Sequence, residues 1–77
     1  MKAVFLIAGI RFTPAAVESI QETGMRDAGV VADVEALRSG AHTRESLLAH
    51  CLDGAADDRV QGWRDYVDAV CEAAGAL

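Results

Sequence analysis

The chain has 77 residues, is 52% hydrophobic, and sets twelve acids against seven lysines and arginines for a formal net charge of −5. A chain this short buries only about 60% of the surface it exposes when unfolded, so it holds one small domain, read here as 1–77, with little room for a deep cleft beside the core. The balance excludes a multidomain enzyme, a collagen-like or repeat protein, and a basic nucleic-acid binder of the usual electrostatic kind.

Ala supplies 15 of the 40 hydrophobic positions, and the other 25 are larger side chains. That is enough for one core and too much for a disordered tail. Met1–Ile10 places one basic residue before an apolar run that ends at Arg11, superficially like a secretory signal. The run lacks the length and the small-residue cleavage site, and a membrane span needs about 20 apolar residues. The segment reads as a core element of a cytoplasmic protein.

Lys2–Ala8 favours strand and shows no polar alternation. The pattern suits a strand buried on both faces, with a short buried helix as the alternative. A strand there needs a neighbour for its backbone groups. The candidates are Gly29–Val34, a second copy of the chain, or the edge of a partner.

A helix is predicted over residues 13–23. Thr13 caps it, Pro14 fits its first position, Phe12 and Val17 form a hydrophobic staple, and Gly24 stops it. Val30–Arg38 is a second helix, with Val30, Val31, Val34 and Leu37 at helical spacing and Ser39-Gly40 at its end. Its three valines keep a strand alternative open for the first half. Thr43 caps a third helix with Leu47, Leu48, Cys51 and Leu52 as its apolar stripe, closed by Asp53-Gly54. The fourth starts at Asp57 or Asp58 and carries Val60, Trp63, Val67, Val70, Cys71 and Ala74 on one face. The expected fold is mainly α: a single bundle of three to four helices with an apolar N-terminal segment.

Two cysteines are present. If the last two helices form a hairpin turning near Ala55, Cys51 and Cys71 lie roughly 18 Å apart along the helical rise, beyond disulfide reach. Both read as small buried hydrophobes.

Charge is unevenly placed. Residues 1–52 carry six acids and five bases, whereas residues 53–77 carry six acids and two bases. At 100° per residue, Asp58, Asp65, Asp68 and Glu72 fall within about 80° of one another, opposite the Trp63/Val67/Val70 face. This acidic ridge is either a solvated face that keeps the protein soluble or a docking surface for a basic partner. Trp63 reads as a core anchor. Tyr66, on the shoulder of the inner face with Arg59 close in angle, reads equally as interface border or helix flank.

Other chemistry finds less support. Ser46, His50 and Asp53 share one face of the third helix, but no oxyanion hole accompanies them and a helical Ser tends to bond its own backbone. His50 and its neighbour Cys51 point about 100° apart. His42, His50, Cys51 and Asp53 are permitted zinc ligands without zinc-site spacing. The glycines at 24 and 29 lack the residues of a phosphate loop.

These readings predict a non-enzymatic protein-binding module without a cofactor: a small acidic regulator or inhibitor with a basic protein partner, no direct nucleic acid and no membrane. In its sharper form the ridge occupies a surface that normally holds nucleic acid, in the manner of small phage-encoded antagonists, by analogy of size and charge alone. Asp58, Asp65, Asp68 and Glu72 would carry the binding, bordered by Tyr66 and Arg59. The alternatives are a homodimeric assembly protein paired through residues 2–8, and a minor metal-binding or hydrolytic role.

Overall fold

The chain enters its first helix at a Thr-Pro pair. Thr13 is extended and its Oγ1 accepts the Ala16 N–H at 3.2 Å. Pro14 fixes the first helical φ without losing a bonded donor. In the computed structural model, which describes residues 5–75, this helix is α1, Pro14–Thr23. It ends at Gly24, whose φ of +72° is a left-handed cap. α2 spans Asp27–Ser39 and stops at Gly40, α3 spans Arg44–Leu52, a single 3-10 turn covers Asp57–Arg59, and α4 spans Val60–Ala74. The fold is thus mainly helical, with four helices and a small sheet.

α2 starts three residues before the predicted Val30, and no strand forms over its valines. Asp27 puts a carboxylate in the first turn, where the macrodipole favours it. Gly29 leaves space for Met25 to fold against the helix, since a Cβ there would lie 2.7 Å from the Met25 Cγ. The early start is therefore set by the loop before it as much as by the apolar stripe.

The N-terminal segment departs further from expectation. Phe5–Ile7 is a strand, β1, but its neighbour within the chain is not Gly29–Val34, which is helical. It pairs antiparallel with β2, Ile10–Phe12, in the register Phe5↔Phe12, Leu6↔Arg11, Ile7↔Ile10. Ala8 and Gly9 form the two-residue connection with φ of +53° and +78°. Both values are positive, as a tight hairpin turn of the primed type requires. Nor is β1 buried on both faces: Phe5 is 44% and Leu6 67% exposed. The portion of the predicted strand over residues 2–4 lies outside the described residues.

α4 is the axis of the fold. α1, α2, α3 and β2 all pack on it, and it contributes Trp63, Tyr66, Val67, Val70 and Cys71 to a core shared with Phe12, Ala16, Ile20, Val30, Val34, Leu37 and Leu47. The α1–α4 crossing is close because Gly62 faces Ala15 and Ser19. A Cβ at position 62 would run into the Ala15 carbonyl and the Ser19 Oγ. Ser19 is fully buried, and its hydroxyl donates to the Arg59 carbonyl at 3.2 Å, which ties α1 to the chain entering α4. Cys51 and Cys71 are free thiols.

Candidate functional site

The four acids of the predicted ridge do not present equally to solvent. Asp65 accepts from the Thr13 hydroxyl at 2.7 Å and from the Gln61 amide at 2.9 Å, so it fastens the start of α1 to α4. Asp68 pairs with Arg44 of α3. Asp58, with a side chain 77% exposed, lies 4.0 Å from Arg59. Glu72 is exposed beside the hairpin, sharing a shallow groove with Ile10 and Arg11. Two of the four are therefore engaged with other helices, and two remain available on the surface.

Arg59 and Tyr66 do not form an exposed border, which corrects the expectation from helical angle. Arg59 turns toward α1, with its Nε donating to Glu22 at 2.6 Å and a terminal nitrogen 3.4 Å from Glu18. The Glu22 hydrogen bond, against the opposing effect of burial, pushes this guanidinium above its ordinary range. Three carboxylates surround one cation, so the patch stays net negative. The exposed pairs in it contribute little to stability individually.

Tyr66 is fully buried. Its ring stacks on Phe12, with centroids 5.6 Å apart, and meets the edge of Trp63 at 5.5 Å. Its hydroxyl donates to Asp33 Oδ2 on α2. Burial first, and the Asp33 carboxylate second, push the phenol well above its usual range. The physical cause of its burial is β2, which delivers Phe12 onto the shoulder of α4. Tyr66 is a core residue with a polar tip held by a carboxylate.

Ser46 is committed to the α3 N-terminus. Its N–H donates to Thr43 Oγ1 at 3.1 Å, and its Oγ accepts the Thr43 N–H at 2.8 Å, completing a capping box. The hydroxyl lies 3.0 Å from His42 Nδ1, and the His42 and His50 rings are 5.9 Å apart. The side-chain partners of Ser46 are therefore Thr43 and His42, and neither His50 nor Asp53 hydrogen-bonds to it. Among the described residues no group of three or more His, Cys, Asp or Glu converges on a position for a metal ion.

The surface feature that helical projection missed is the hairpin. β2 packs on α4 and α1, whereas β1 pairs with β2 and rests on no helix to a comparable extent. Phe5 and Leu6 are accordingly exposed, together with Val31 of α2 at 48%. Val31 lines a shallow groove with Ala8 and Ile10 of the hairpin. Among the described residues the outer edge of β1 pairs with no strand. An apolar strand with free backbone donors and acceptors is a template for another chain.

No protein-family model, curated protein or solved structure matches the chain. Among the described residues, no helix is long and apolar enough to cross a membrane.

Proposed function

We propose that this protein is a non-enzymatic protein-binding module, a small acidic regulator or inhibitor, whose docking element is the outer edge of β1 with Phe5, Leu6 and Val31. The observation that carries this reading is the exposure of Phe5 and Leu6 on β1, which with Val31 are the large apolar side chains exposed among the described residues. Exposed apolar side chains beside a strand edge that pairs with no strand among the described residues are the composition of an interaction site.

The occupant is an extended segment of a basic protein. A second copy would bring another −5 against the first, whereas a basic partner gains from the same charge. Asp58 and Glu72 remain on the surface to steer it, and such charges raise association rate and salt sensitivity more than affinity. The sharper mimicry of nucleic acid by all four ridge acids is less supported, because Asp65 and Asp68 already serve Thr13 and Arg44.

A photocrosslinking amino acid placed at position 6 of the full chain tests this reading in the native host. The expected product is an adduct with one basic protein, reduced at least about tenfold by Phe5→Lys, as removal of a central apolar contact implies. An adduct indifferent to Phe5→Lys overturns the docking site. An adduct with a second copy overturns the basic partner and favours the homodimer.

A further inference from the structure

A second concave site lies away from the hairpin, where the end of α1, α2, α3 and α4 come together. It is a cleft of about 360 Å³ lined by Met25, Asp33, His50, Cys51, Asp53 and Trp63, among others. That volume is at the small end of ligand pockets, sufficient for a side chain or a small organic ion.

Its chemistry is one-sided. Asp33 and Asp53 supply two carboxylates, and among the described residues no Lys or Arg lines the cleft, His50 being its basic side chain. Among the described residues neither carboxylate has a basic nitrogen within 4.0 Å, although Glu18, Glu22, Glu35, Asp58 and Asp68 all do. Asp33 is held in place by the Tyr66 hydroxyl on one oxygen, so it is oriented without being neutralised. The remaining walls are the Trp63 indole, the Met25 thioether, the Cys51 thiol, the Thr23 hydroxyl and the His50 imidazole. Burial, and then Asp33, raise the Cys51 thiol to about 11, so it stands in the cleft as a neutral group at ordinary pH.

A bare metal ion does not suit this arrangement, because three or more ligands do not converge. An organic cation does, because its charge is spread and its stem is apolar. Carboxylates take the N–H donors of a guanidinium, and an aromatic face favours the same group. We infer that the Asp33/Asp53/Trp63 cleft is a binding site for an organic cation on an apolar stem, best matched by a guanidinium. The cation is either the arginine side chain of a protein or a free guanidino compound. Only the first source rests on the docking reading above. The cleft itself stands on its own lining, and its test needs no partner.

The test is an NMR titration of the full chain with N-acetyl-arginine methylamide, with the neutral citrulline analogue as control and agmatine as the free cation. The expected result is a saturable shift of the Trp63 indole N–H and of the Cys51 and Asp53 amides with the arginine compound, and none with citrulline. Asp53→Asn, a change at an exposed helix end, should weaken binding about tenfold, as loss of one charge-assisted partner implies. Glu45→Gln, in the first turn of α3 at the end away from Cys51 and Asp53, should leave it unchanged. Asp33→Asn should weaken binding similarly, and Asp53→Asn keeps the test valid if loss of the Tyr66 partner unfolds that variant. Tighter binding of an arginine-containing basic peptide than of agmatine assigns the site to a protein ligand, and the reverse order assigns it to a free cation. Absence of shifts, equal shifts with citrulline, or undiminished binding in Asp53→Asn would each overturn the inference.

Discussion

The α1–α4 contact and the β1–β2 hairpin are built on opposite terms. At the first, Gly62 lets two helices approach until Ala15 and Ser19 fill the space a side chain would occupy, and Ser19 is fully buried. At the second, three residues of strand carry Phe5 and Leu6 into solvent, and the chain reverses through an Ala with φ of +53°. One region spends its residues on packing. The other leaves apolar surface uncovered and accepts a strained turn. The contrast separates the part of the chain that makes the fold from the part that is free to recognise something else.

The largest expected effect breaks the first region. Gly62→Ala gains about 1 kcal/mol of helix propensity but forces a methyl group against backbone and a buried hydroxyl, an overpacking cost of about 3 kcal/mol or more. The net loss of about 2 kcal/mol should lower the melting temperature by about 8–16 °C in a domain of this size. A melting temperature at or above wild type would show that α1 can slide away, and that the crossing is not the constraint described.

A middle-sized effect probes the seam where the two regions meet, at Tyr66 between Phe12 and Asp33. Tyr66→Phe removes a hydrogen bond to a charged acceptor and should cost about 1–2 kcal/mol in denaturant unfolding. The phenol also fixes a pH dependence. Its folded pKa is raised, so its contribution is complete below the unfolded value of about 10 and declines as pH rises above it, where the unfolded chain releases its proton more readily. Wild-type stability should therefore fall above about pH 10 more steeply than that of Tyr66→Phe. Parallel pH profiles for the two proteins would contradict the assignment.

The smallest effect sharpens the second region. Ala8→Asn converts the turn to Asn-Gly, whose first residue tolerates the left-handed conformation, and should stabilise the chain by about 0.5–1 kcal/mol. A destabilised variant would mean that the Ala8 methyl, partly buried against the core, outweighs the relief of backbone strain.

Much of the helical frame is legible in the sequence because its boundaries are local. Thr13-Pro14, Gly24, Gly40 and Thr43 act on their own neighbours, and each marks a helix end in the structure. The hairpin was not legible, since Ala8-Gly9 lacks the usual turn dipeptide and the apolar run across it hides the reversal. The site residues fared unevenly for a related reason. Projection along α4 gives the angle of each side chain but not what another element lays over it. Tyr66 sits on a shoulder that Phe12 covers from more than fifty residues earlier in the chain. Thr13 reaches Asp65 across 52 residues and Arg44 reaches Asp68 across 24. Gly62 gave no signal in a helical pattern, because its importance lies in what faces it.

The asymmetry between the two strands of the hairpin bears on how this protein can change. Phe12 of β2 is locked against Tyr66, while Leu6, across the ladder from Arg11, touches little else of consequence. Substitutions at Phe5 and Leu6 should therefore accumulate with small cost to the bundle, while Ile7 of β1 and Phe12 of β2 are constrained by the core. If β1 is the docking element proposed above, residues 5 and 6 are where a change of target would leave the helices nearly constant. The same separation makes β1 a natural position for grafting a chosen binding sequence onto a scaffold of this size.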